Sequence, residues 1–152
     1  MNPRYLFLAA CLLAGCTGTR ETLVVKQFQL RDQATATTSE PMVKMEKLRR
    51  LHGAVSMEER RNKLGQYYTV VWSDPTGAGQ GEVTLTFLYQ QGATGSRIKR
   101  MTKVFPPPDT EGAAEFVVIG DDYFQGGKVL AWKATLSRGT KELANRQSYL
   151  WQ

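Results

Sequence analysis

Residues 82–90 alternate in a way that only an extended, half-buried backbone can use. Val83, Leu85, Phe87 and Tyr89 fall on one side at period two, and Thr84, Thr86 and the less polar Leu88 fall on the other. Successive side chains of a strand point to opposite faces, so the run predicts a strand with one face in a core. The same pattern recurs over residues 66–72, 98–104, 113–119, 128–137 and 141–151. Between these runs lie breakers: a Gly-rich loop at 73–81, a hairpin loop at 91–96, and Arg138-Gly139-Thr140. Pro106-Pro107-Pro108 lacks the amide hydrogens of a ladder, so it reads as a stiff crossing between sheets. Asp121-Asp122 and Gly126-Gly127 enclose Tyr123-Phe124 in a turn region. Several short strands without a helical crossover among the later ones predict an antiparallel sandwich, with a small barrel as the alternative.

The amino-terminal third reads differently. Residues 23–30 are β-branched and aromatic, with Val24, Phe28 and Leu30 on one face and Lys26 between them, which predicts a further strand. Residues 32–39 read as a loop. Met42, Met45, Leu48 and Leu51 then recur every three residues, widened by Val43, which is helical spacing. Ser39 suits the N-cap, Pro41 the first turn and Gly53 the position past the end, while Lys47, Arg49 and Arg50 lie toward the terminus where the helix dipole favours cations. Ser56 and Glu59 have capping-box spacing for a second short helix, which Gly65 closes. The expected fold class is mainly β: an antiparallel sandwich preceded by one strand and a short helix-turn-helix segment.

Arg4 precedes an uncharged apolar run from Tyr5 to Gly15, too short for the ~20 residues that a membrane-spanning helix needs. A basic start, a short apolar run and small residues at its end make an export signal. The ending Leu13-Ala14-Gly15-Cys16 resembles the lipobox of bacterial lipoprotein precursors. That resemblance implies cleavage between Gly15 and Cys16, a diacylglyceryl group on the Cys16 thiol and an acyl group on the new amine. It also implies delivery to the outer membrane in preference to the inner membrane, because Thr17 stands where an Asp would retain the protein. Divided on this basis, residues 1–15 are signal, 16–22 a lipidated tether, 23–65 a strand and helical segment, and 66–152 the sandwich, with 23–152 expected to form one unit. The run from Tyr67 to Trp151 resembles an immunoglobulin-like or fibronectin-type sandwich, without the Cys–Trp–Cys arrangement of true immunoglobulin domains.

Cys11 would leave with the signal, so no disulfide, Cys-based metal site or thiol nucleophile would remain. The 41% hydrophobic and 22% charged composition suits a folded domain. The whole chain carries +6, and loss of Arg4 leaves 19 − 14 = +5. Such a surface favours anionic phospholipid, lipopolysaccharide phosphate, acidic glycan or an acidic protein patch. Nucleic acid is not an expected partner in the envelope.

Reactive groupings are scarce. His52 is the sole histidine and sits at a helix end beside Gly53. Asp121-Asp122 lacks the surrounding oxygen ligands that calcium needs. The loop 77–81 lacks the ending of a phosphate-binding loop, and Glu58, Glu59 and Glu115 show no paired spacing. No catalytic residue, metal or cofactor is assigned beyond the lipid on Cys16. Two binding surfaces are candidates. One is basic, from Arg97, Lys99, Arg100 and Lys103 with Arg49 and Arg50. The other is an aromatic platform from Tyr67, Tyr68 and Trp72, since adjacent tyrosines on a strand point opposite ways and one is a candidate for exposure. The expected function is that of a lipid-anchored, non-enzymatic envelope protein that binds another envelope protein. The alternative is a glycan- or anionic-lipid-binding module.

Overall fold

In the computed structural model, which describes residues 21–31, 40–75 and 81–152, the alternating runs become strands. They are β1 (Leu23–Leu30), β2 (Gly65–Ser73), β3 (Val83–Gln91), β4 (Ile98–Phe105), β5 (Glu111–Ile119), β6 (Val129–Arg138) and β7 (Lys141–Gln147). Every pairing is antiparallel. One sheet has the order β1-β2-β5 and the other β4-β3-β6-β7. The prolines after Phe105 carry the chain from one sheet to the other, as their missing amides require.

The inner faces make one core. Tyr68, Val70 and Trp72 of β2 and Ala114, Phe116 and Val118 of β5 meet Val83, Leu85, Phe87 and Tyr89 of β3 and Ala134 and Leu136 of β6. Phe87 is central: it stacks on Phe116 with ring centroids 5.1 Å apart and lies 4.7 Å from Tyr68. Sandwich architecture therefore follows from the alternation.

The three-stranded sheet is covered on its outer face as well. Phe28, Leu30, Tyr67, Val117 and Ile119 form a second, smaller cluster with Leu51 and Leu64. Leu51 ends α1 (Pro41–Leu51), and Leu64 follows α2 (Met57–Asn62). The capping box of α2 is formed: Ser56 Oγ accepts from the Glu59 amide at 3.1 Å, and Glu59 accepts from the Ser56 amide at 2.9 Å. The N-cap of α1 is Glu40, with no side-chain cap bond. Ser39, the leader, Gly15 and Cys16 lie outside the described residues.

Three local expectations change. β1 is separated from β2 by both helices yet pairs with it from Leu23↔Trp72 to Leu30↔Gly65, so the sandwich begins at β1. The turn region around Tyr123 is a short helix, α3 (Gly120–Gly126). The last strand stops at Gln147, because Ser148 turns its hydroxyl to accept from the Trp132 amide at 2.9 Å and the chain then bends away.

At the end of the sandwich where β6 finishes, one buried guanidinium joins two loops, the β2–β3 and the β4–β5 connections. Arg138 donates through Nε to Asp74 Oδ2 at 2.9 Å. It also donates to the carbonyls of Gly81 at 3.1 Å, Pro107 at 3.2 Å and Asp109 at 2.9 Å. One side chain thereby supplies donors to a carboxylate and three loop carbonyls.

Candidate binding surfaces

The helical stripe of the sequence points outward. Met42, Met45 and Leu48 are 75%, 67% and 47% exposed, while Lys47 and Arg50 are buried beneath the helix. Arg50 explains the orientation. Its Nε donates to Glu46 at 2.8 Å, its Nη1 pairs with Glu115 of β5 at 2.5 Å, and its guanidinium lies over the Tyr67 ring, 4.1 Å from the centroid. Two carboxylates and an aromatic face offset the cost of burying this charge. The opposite side of an α-helix then carries residues 42, 45 and 48 into solvent.

Arg50 is thus turned inward and paired, away from an approaching anion. Arg49 is exposed but makes paired bonds to Glu46 at 2.7 and 2.8 Å. Hydrogen bonding from Arg49 holds the Glu46 carboxyl down at about 2, with bonding and charge from Arg50 adding to it and burial opposing.

The other four cations lie at the edge strand β4 of the other sheet. Lys99 faces the interior side, opposite Tyr89, and is engaged by Asp122 of α3. Asp122 also accepts from the Tyr89 hydroxyl at 3.3 Å. Burial, followed by the Asp122 charge, pushes the Tyr89 phenol up to about 12. Arg97, Arg100 and Lys103 are exposed, and their side chains make no hydrogen bond or ion pair with any described residue. They belong to the four-stranded sheet, whereas α1, which carries Arg49 and Arg50, covers the outer face of the three-stranded sheet. The single basic patch expected from sequence is two separate features, and only the β4 part is open.

The aromatic platform is a misreading. Tyr67, Tyr68 and Trp72 are 5%, 0% and 1% exposed. Alternation does send Tyr67 and Tyr68 to opposite faces, but both faces are covered, one by the second sheet and one by the helices. Tyr67 donates to the Lys63 carbonyl at 2.6 Å. Burial raises the Tyr68 phenol well above its ordinary range. Among the described residues, Tyr149, in the turn after β7, is the aromatic ring that stands almost wholly in solvent. Trp132 is half-covered and helps Arg146, Gln147 and Val25 line a cleft of about 270 Å³ between β1 and β7.

The remaining sequence candidates have structural places. His52 is the exposed C-cap of α1, its amide donating to the Arg49 carbonyl. Asp121 and Asp122 are in the first turn of α3. Among the described residues no group of three or more His, Cys, Asp or Glu is placed to hold a metal ion. No described helix is long and apolar enough to cross a membrane.

Sequence reasoning missed the outward face of α1. Its signal was present as the stripe itself, but periodicity marks a face without saying where it points. No family model matches this chain, and neither a curated protein nor a solved structure matches it.

Proposed function

We propose that this is a lipid-anchored protein of the bacterial cell envelope that acts by contact with another envelope protein, as an accessory subunit, and not as an enzyme. On this reading Cys16 carries diacylglycerol and an acyl amide, and outer-membrane delivery follows from Thr17. The body is an immunoglobulin-like sandwich. Its strand order supports that resemblance, with the first, second and fifth strands together and the third, sixth and seventh together.

The observation that carries the binding role is the edge of β4. Arg100 and Lys103 extend from a strand whose second side has no partner among the described strands, and Arg97 immediately precedes it. Positive residues on an edge discourage unspecific sheet pairing, and an acidic partner suits them. Crosslinking in whole cells, followed by affinity purification, tests the reading. A partner should be recovered with the native protein and lost from the Arg100→Glu, Lys103→Glu double variant, which keeps its anchor. Recovery no better than with an unrelated lipoprotein refutes it. A glycan-binding role has one observation in its favour, the half-covered Trp132 beside Arg146 in the β1–β7 cleft. Glycan-array binding abolished by Trp132→Ala would select it.

A further inference from the structure

The outward face of α1 is costly to leave in water. Met42, Met45 and Leu48 make one stripe, Val43 lies at its margin, and Val55 in the turn beyond is 86% exposed. The helix meets the body instead through Lys47, Arg50 and Leu51. A soluble surface holds scattered apolar residues without consequence, but a contiguous row with a polar rim marks a contact.

The rim identifies the occupant. Residues 40–64 contain seven Lys and Arg and four Glu, and with Lys47 and Arg50 buried beneath the helix the remaining five cations exceed the glutamates by 5 − 4 = +1. Lys44 is exposed and has no carboxylate partner among the described residues. Arg61 is exposed and lies over the half-open Phe124 ring at 4.4 Å, extending the positive margin. A second copy of this chain would bring the same excess against itself, so charge disfavours self-pairing. An apolar row framed by cations suits an anionic phospholipid surface, into which such a helix sinks by about 5–10 Å.

We propose that α1 lies on the anionic bilayer surface through Met42, Met45 and Leu48, with the three-stranded sheet on the membrane side. The contact goes beyond the partner-binding role and does not depend on the lipid at Cys16. In this pose β4 belongs to the layer farther from the lipid, where its cations remain open.

The two methionines report on the contact directly. The full-length protein is reconstituted into vesicles of phosphatidylcholine alone or mixed with phosphatidylglycerol. Peroxide oxidation of each methionine is then followed by peptide mass spectrometry. Oxidation of Met42 and Met45 should slow about tenfold in the anionic vesicles relative to detergent, with half-buried Met101 as an unchanged internal reference. Protection should fall in about 1 M salt, where the Debye length is about 3 Å. Leu48→Glu, an exposed position, should restore fast oxidation of Met42 without lowering the unfolding temperature.

Equal rates in anionic vesicles and detergent overturn the proposal. So does equal protection in neutral vesicles, and so does protection that appears without lipid as protein concentration rises. The mass of the amino-terminal peptide is read in the same experiment. A bare Cys16 with protected methionines defeats the anchor and leaves the contact standing. An acylated Cys16 with freely oxidised methionines does the reverse.

Discussion

Replacing Arg138 with Met tests the principal polar connection of the fold. The apolar stem is kept in volume, while the guanidinium that serves Asp74 and three loop carbonyls is removed. Both charged side chains are nearly sealed from solvent, at 5% and 7% exposure. Removing one member of such a pair costs about 3–5 kcal/mol, because the other loses its counter-charge without regaining water. Each kcal/mol corresponds to about 2–4 °C for a chain of this size, so the melting temperature should fall by about 6–20 °C. Calorimetry, with near-ultraviolet dichroism of the buried Trp72 as a second probe, would measure it and check that one transition is present. The Lys replacement should be intermediate, since an ammonium keeps the charge but lacks the planar fork that reaches several acceptors. A shift under about 3 °C for Arg138→Met would falsify the assignment of this residue as the tie between the loops.

Other outcomes follow from geometry already described. Gly65 has φ +148°, and an added Cβ would sit 2.2 Å from the Val118 carbonyl oxygen, so Gly65→Ala should destabilise by about 2–3 kcal/mol in urea unfolding. Gly139→Ala, also at positive φ but with nothing within 4 Å, should cost only about 1–2 kcal/mol, and equal losses at both sites would show that crowding is not the cause. Ser56→Ala removes one half of the capping box and should cost about 1 kcal/mol; no change would mean that α2 does not depend on its cap. Glu46 is held at about 2 in the folded state against 4.5 for the free group, so the unfolded chain binds the proton more readily. Its contribution is therefore full above about pH 4.5 and is lost as pH falls toward 2. Glu46→Gln should flatten the acid limb of a stability–pH curve measured by urea midpoints, and an unaltered limb would remove Glu46 from the account.

What the chain disclosed in advance was set by short-range rules. The strand around Phe87 was legible because one face had to be buried, and β4 followed by the same alternation. The α2 start was legible because Ser56 and Glu59 satisfy each other within one turn. Illegible features were those settled by distant partners. The orientation of α1 depends on Glu115 and Tyr67, which come from strands later in the chain, and without them Arg50 would not be the buried residue. Tyr67 and Tyr68 looked like candidates for exposure because alternation gives a strand two faces and says nothing about a helical layer over the second. The pairing of β1 with β2 was equally hidden, since the helices intervene between them. Of the binding candidates, Lys99 is set apart from Arg97, Arg100 and Lys103 by Asp122, which arrives from α3 later in the chain.

The attachment of β1 has a mechanical consequence. A tug on the amino end enters at Leu23, along the strand, so the ladder running from Trp72 to Gly65 is loaded in shear, with its bonds sharing the strain. Arg146 of β7 also grips that entry point, donating to the Leu23 carbonyl at 3.2 Å and pairing with Glu21 at 3.0 Å. Tension is thus divided between both layers from the first residue of the strand, and Arg146→Ala should lower the rupture force in single-molecule pulling from the amino end.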